Sequence, residues 1–148
     1  MQLTQFTDYS LRVLIYLARM PKDGLATVPE IAEYHRISRN HLVKVVHNLS
    51  SQGFVTTTRG KGGGIRLARS PDCIGIGEVV RRTEPHMNLV ECFDIKANLC
   101  GIIRGCFLKA ILYEARKEFL ATLDRYTLAD AARILGKAEP IERRSFGS

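Results

Sequence analysis

A mainly helical chain with one small β-hairpin is the fold class that the sequence predicts, on three observations. Two short helical patterns separated by a tight turn occupy residues 27–53. Two β-branched segments bracketing a Gly-rich basic turn, "RGKGGG", follow at once over residues 54–68. A long run of apolar positions spaced three and four apart then begins near Cys106. Helix, turn, helix and hairpin in that order make a winged helix-turn-helix. The long run adds a dimerisation helix, because such heads usually act as two-fold pairs.

The elements follow in order. Leu11, Leu14, Ile15, Leu17 and Ala18 set a helical period from about Asp8 to Met20, closed by Pro21. Thr27 with Glu30 three residues on matches a capping box. Pro29 sits in the first turn, where proline is tolerated, so a short helix to about Tyr34 is expected. His35–Ile37 makes the turn, and Ser38 is a good N-cap for a second helix ending at Gly53. On a helical wheel Leu42, Val45, Val46 and Leu49 share one face, and Asn40, Lys44, His47 and Ser51 lie opposite. The second helix therefore offers a polar, basic face.

"FVTTT" (54–58) and "IRLA" (65–68) read as strands, with the cations Arg59 and Lys61 at the tip between them. Pro71 closes that segment, and "IGEVVRRTE" (76–84) reads as a short amphipathic helix stopped by Pro85. Residues 86–105 are loop-like. From about Cys106 the long helix carries Leu108, Ile111, Leu112, Ala115, Phe119, Leu123 and Tyr126 along a near-heptad seam. Thr127 caps a short helix to Leu135, and the polar stretch after it reads as a flexible tail. The expected organisation is a winged helix-turn-helix domain over 1–84, a loop over 85–106, a dimerisation helix with a short C-terminal helix over 107–135 and the tail over 136–148.

Bulk properties narrow the function. The chain has 148 residues and 45% hydrophobic content, enough for a real core without disulfides. No stretch approaches the roughly 18 apolar residues of a membrane span. Asp8 and Arg12 interrupt the apolar N-terminal segment, so the expectation is a soluble, cytoplasmic protein with reduced thiols. The net charge is +7. Between Arg36 and Arg82 stand nine basic residues against only Asp72 and Glu78, which accounts for the whole excess. Charge concentrated in this way points to a polyanion. No P-loop pattern accompanies the glycines, so a nucleotide cradle is disfavoured and double-stranded DNA is the expected partner. The second helix would take the major groove, with Thr27, Ser38, Arg39, Asn40, His41, Lys44 and His47 near it. Arg59, Lys61, Gly62 and Gly63 of the wing would follow the backbone or a minor groove.

Three of the four cysteines, Cys92, Cys100 and Cys106, lie in the spacing C-x7-C-x5-C with polar or glycine-rich residues between them. Clustered thiols in a reducing compartment suggest metal. Zinc favours a tight C-x2-4-C knuckle, which is absent, whereas iron–sulfur clusters accept more open loops. Three thiolates leave one iron of a cube needing another ligand, and an exposed iron suits a sensor. Cys73, alone in the apolar strip "CIGIG", is expected to be simply buried.

The stretches "LTQFTDYSLRVLIYLA", "SRNHLVKVVHNLSSQGFV", "RGKGGGIRLA", "IGEVVRRTEP", the three-cysteine loop and "LDRYTLAD" together resemble the NsrR-type repressors. These belong to the Rrf-type winged-helix iron–sulfur family that also includes IscR. The resemblance runs over about residues 1–135. It implies a homodimeric transcriptional repressor, not an enzyme, that binds a palindromic operator and responds to nitric oxide. It further implies a 4Fe–4S cluster on the three cysteines, with Asp8 from the partner subunit as fourth ligand. Nitrosylation of the cluster would relieve repression. Read from the residues alone, Asp8 equally suits the N-terminal dipole of its helix. IscR-like relatives hold a 2Fe–2S cluster, the alternative cofactor, with a histidine three residues after the third cysteine. Here that position is Lys109, whose ammonium offers no lone pair. One rival is a regulator of the same fold that senses redox state or iron through thiols or zinc, without the 4Fe–4S cluster. A small electron-transfer protein is a second, and it has no use for the basic wing.

Overall fold

The computed structural model describes residues 1–133 and contains six α-helices and one two-stranded antiparallel sheet among them. Helix α1 spans Gln5–Ala18. It starts three residues earlier than the apolar period suggests, because Thr4 caps it by accepting a hydrogen bond from the Thr7 amide. Its inner face buries Val13, Leu14, Tyr16 and Leu17. Helix α2 (Val28–His35) opens on the full Thr27/Glu30 capping box and ends at Arg36, which takes the left-handed conformation (φ 55°). Helix α3 (Arg39–Ser51) buries Leu42, Val45, Val46 and Leu49, the face that the wheel selects. Ser38 does occupy the N-cap position of α3. Its side chain makes no capping hydrogen bond, so position alone overstated its role.

Strands β1 (Val55–Thr58) and β2 (Gly64–Leu67) pair in register from Val55↔Leu67 to Thr58↔Gly64. A third segment joins them that sequence patterning did not show. Ala26 bridges to Ile65 through backbone hydrogen bonds of 3.0 and 2.7 Å, tying the approach to α2 onto the wing. A single residue paired on each side leaves no period-2 signal to read.

After a 3-10 turn at Pro71–Cys73 comes α4 (Ile76–Thr83), then the long loop, with one further 3-10 turn at Glu91–Phe93. Helix α5 (Phe107–Asp124) and the short α6 (Leu128–Ala131) complete the described residues. A second capping box, Thr127/Asp130, starts α6. It ends at Ala131, short of Leu135. Leu135 and the 136–148 tail lie outside the described residues.

The core sits wholly in the head. Ile31, Leu42, Leu49, Phe54, Ile74 and Val79 are fully enclosed there, and Leu128 returns from the far end of the chain to join them. The Leu128 amide donates to the Ile74 carbonyl at 2.7 Å and that of Ile76 to the Tyr126 carbonyl at 3.0 Å, so α6 is laced onto the entry to α4. The sequence division groups α6 with the long helix, but its one buried side chain belongs to the head. Cys73 corrects an expectation. It is exposed at the end of the 3-10 turn, where Ile74 and Ile76 take the inward positions and leave the thiol outside.

Candidate functional site

Two surfaces carry chemistry, one on each side of α4. The first is the outer face of α3 with the wing. Arg39, Asn40, His41, Lys44 and His47 are exposed along α3, and Ser38 is exposed at its start. Arg59, Lys61 and Gly62 are exposed at the tip of the hairpin. Not every residue on this surface is equally available. The Thr27 hydroxyl accepts from the Glu30 amide and lies 2.9 Å from its carboxylate, so it is occupied within the capping box. The His41 ring stacks on Tyr9 of α1 at 6.2 Å, which braces the reading helix against α1.

The glycines of the wing do structural work. Gly62 adopts φ +79°, open to glycine at no steric cost. At Gly63 a Cβ would collide with the Thr58 carbonyl, so the tip closes only because no side chain is there. Gly63 is therefore required for the shape of the wing whatever it touches.

The basic excess divides in the same region. Arg69 and Arg82 both pair with Glu78, and their guanidiniums lie 5.3 and 5.8 Å from the centre of the Phe54 ring. Arg81 forks onto Asp124 of α5, with Nη1 donating at 2.7 Å. These three cations brace α4 against the wing on one side and α5 on the other. Arg36, Arg39, Lys44, Arg59, Lys61 and Arg66 make no ion pair among the described residues, and all six are exposed. The exposed charge without an ion pair is thus a subset of what the sequence count suggests, set on the α2–α3 turn, α3 and the wing.

The second surface is the loop before α5. Cys92, Cys100 and Cys106 are free thiols and half-buried. Cys92 lies in the Glu91–Phe93 turn and Cys106 is the N-cap residue of α5. The hydrogen bonds within the loop are short-range: Lys96 amide to Asp94, Cys100 amide to Asn98 and Leu99 amide to Glu91. A hollow of about 520 Å³ opens beside Cys106, lined by Lys109, Tyr113, Glu114 and Lys117. Among the described residues no three His, Cys, Asp or Glu side chains stand close enough to hold a metal ion as placed. The donor set nevertheless fits a thiolate-held cluster: three unoxidised thiols lie on one irregular segment able to close round a group. Coupling of metal binding to local ordering is the usual case.

Asp8 lies apart, in the first turn of α1. Its carboxylate is held by Arg12 one turn on, at 2.8 Å, with both side chains nearly half exposed. Lys109, where an imidazole would be needed for the alternative ligand set, is half-buried in the first turn of α5.

Between Thr83 and Leu128 none of the described residues is buried. Helix α5 instead exposes Phe107, Leu108, Ile111 and Tyr113, with Phe107 78% accessible. An eighteen-residue amphipathic helix left open in this way is a surface awaiting a partner. No helix among the described residues is long and apolar enough to cross a membrane.

Comparison with known proteins agrees with this layout. The family described as "Rrf2: Iron-dependent Transcriptional regulator" matches residues 3–134. The HTH-type transcriptional regulator NsrR of Bacillus subtilis is 55% identical over 130 residues, covering 88% of this chain and 89% of that one. Among solved structures, CymR, the global cysteine regulator of B. subtilis, superposes with a TM-score of 0.74 at 25% identity, over 89% of this chain and 96% of its own. IscR of T. potens superposes with a TM-score of 0.69 at 26% identity, over 88% of this chain and 85% of its own.

Proposed function

The chain belongs to the Rrf2 family of iron-dependent transcriptional regulators, and from that premise we propose that it is a nitric-oxide-responsive, dimeric DNA-binding repressor. It is a regulator and not an enzyme. The α3 face enters the major groove while Arg59 and Lys61 of the wing rest on phosphates. Two copies paired through α5 present two such heads to a palindromic operator. Cys92, Cys100 and Cys106 hold an iron–sulfur cluster of the 4Fe–4S type, and Asp8 of the partner subunit completes it. The cluster supplies irons open to attack by nitric oxide. Asp8, paired with Arg12 at 2.8 Å in the single chain, would exchange that partner for the cluster, which would tie cluster state to the relative orientation of the two heads.

The single observation that supports the sensing half is the segment between Thr83 and Leu128. It combines three free thiols with an absence of buried side chains among the described residues. Such a segment gains burial only when something outside the single chain completes it. The test is anaerobic purification with iron and acid-labile sulfide counting, followed by nitric oxide titration during operator binding. Stoichiometric iron and sulfide, with loss of the DNA complex on titration, is the expected result. A colourless protein with full, nitric-oxide-insensitive operator binding sinks the reading.

That outcome would favour a regulator of the same fold that senses through its thiols or zinc alone.

A further inference from the structure

The cysteine loop touches α5 through one distinctive cluster. The Arg116 guanidinium lies 4.7 Å from the centre of the Phe93 ring and 4.6 Å from that of Tyr113. The two rings are themselves 6.0 Å apart, tilted at 59°. Arg116 Nη1 also donates to the Met87 carbonyl at 3.3 Å. Phe93 follows Cys92 directly and shares its 3-10 turn, and Met87 lies at the start of the same loop. A flat cation in contact with two tilted aromatic rings, with an N–H left for a carbonyl, is a geometry that arginine fills and lysine only partly reproduces. All other side-chain hydrogen bonds of this loop run within the loop among the described residues.

We propose that Arg116 is a positioning residue for the cysteine loop, clamping Phe93 and Met87 so that the first thiol, Cys92, is held in a fixed place against α5. This deepens the cluster reading and rests on it for the second half of its consequences. The clamp orders one end of the loop before any metal arrives, leaving Cys100 and the approach to Cys106 to close afterwards. It also joins the loop to the helix offered for pairing. Closure of the loop round a cluster is thereby transmitted to α5 through Phe93 and Arg116 rather than only through the chain at Cys106.

The first test uses metal-free, reduced, full-length protein with Cys92 as its only cysteine (Cys73→Ser, Cys100→Ser, Cys106→Ser). The rate of Cys92 modification by an aromatic disulfide reagent is read with and without Arg116→Gln. Loss of both ring contacts should speed modification about five- to tenfold, and Arg116→Lys should fall between. Glu118→Gln, elsewhere on α5, should match the parent.

In the iron–sulfur-loaded protein with all cysteines intact, a ferrous chelator should bleach Arg116→Gln faster by a similar factor, with Arg116→Lys again intermediate. If Arg116→Gln reduces helical content, Phe93→Leu tests the same clamp from the loop side. Parental Cys92 reactivity in Arg116→Gln and Phe93→Leu overturns the inference, as does equal acceleration in Glu118→Gln. If the parent takes up no iron and sulfide, the cluster reading fails while the Cys92 measurement still decides the clamp.

Discussion

The head and the segment that follows it are built on opposite terms. Residues of α1 to α4, with Leu128, enclose a dense core in which Leu14, Ile31, Leu42, Leu49, Phe54 and Val79 are sealed from solvent. From Glu84 to Thr127 no described residue is buried, yet that stretch holds the longest helix and three thiols. The head therefore specifies its own structure, and the segment has a shape but too little burial to defend it. Hydrophobic burial is the main favourable term in folding, so a helix without it needs a partner surface or a bound group. The difference teaches where regulation belongs. Under the proposed function the heads would be re-aimed through what joins them to α5, and that joint is α4, gripped by Arg82 and Arg69 on the wing side and by Arg81 on the α5 side.

The strongest way to break that contrast is a pair of truncations. Phe54→Ala empties a fully buried site and should cost about 3–5 kcal/mol of unfolding free energy in denaturant titrations. Ile111→Ala, nearly half exposed on α5, should cost about 0.5 kcal/mol or less at high dilution. Its effect should appear instead in sedimentation, as weaker self-association. Comparable unfolding costs at high dilution would mean that α5 is part of the head's cooperative unit after all.

The thiols sharpen the contrast next. Cys92→Ala, Cys100→Ala and Cys106→Ala should each abolish cluster retention on a desalting column. Cys73→Ala, on the head and outside the loop, should leave iron, sulfide and the absorption spectrum unchanged. Bleaching by Cys73→Ala, with retention in any of the other three, would show that the ligands are wrongly assigned.

Within the head, the wing separates shape from charge. Gly63→Ala forces a Cβ against the Thr58 carbonyl and should cut operator affinity at all salt concentrations by distorting the tip. Arg59→Ala or Lys61→Ala leaves the tip intact and should flatten the log–log salt slope by about one unit each. Lys44→Ala on α3 should reduce discrimination between operator and random DNA, at about 1–3 kcal/mol if the lysine reads a base edge. A double Arg59/Lys61 replacement with unaltered salt slope would remove the wing from the interface.

How far the sequence could be read follows the same divide. The head was legible because its rules are local: a capping box at Thr27, a cap at Thr127, period 3.6 on α3 and β-branched runs either side of the glycines. The Ala26–Ile65 bridge was not, since one paired residue carries no pattern. Cys73 was misjudged because an apolar neighbourhood in sequence says nothing about which side of a 3-10 turn faces in. Of the cysteine segment, its irregular course and its start before the long helix were readable. The clamp by Arg116 was not, because Phe93 and Arg116 are joined only in space. An apolar seam on α5 could be seen, but periodicity alone did not distinguish a helix packed on its own core from one left open.

Acid should resolve the two regions by a smaller effect, in separate windows of pH. His35 stands in the head with its ring 6.0 Å from Tyr16 and 4.9 Å from Tyr34, and its Nε2 is buried with no partner among the described residues. Burial pushes its pKa below the ordinary 6.5, against the opposing pull of a hydrogen bond to the Arg12 backbone. The unfolded chain then binds more protons than the folded one, so this contribution is complete above 6.5. It is lost as pH falls from 6.5 through the lower folded value. At the α4–α5 joint the order is the same but the range differs. The hydrogen bond from Arg81 holds the Asp124 carboxyl below its ordinary 3.8, so the joint keeps its ion pair until pH falls under that value. Between about pH 7 and 5 the head should therefore lose stability while the joint does not, and His35→Gln should remove part of that loss. Asp124→Asn should change nothing in this window and flatten the decline only at lower pH. The readout is amide exchange, comparing α2 with α5 across the series. An unaltered decline in His35→Gln would show that the histidine does not cause it.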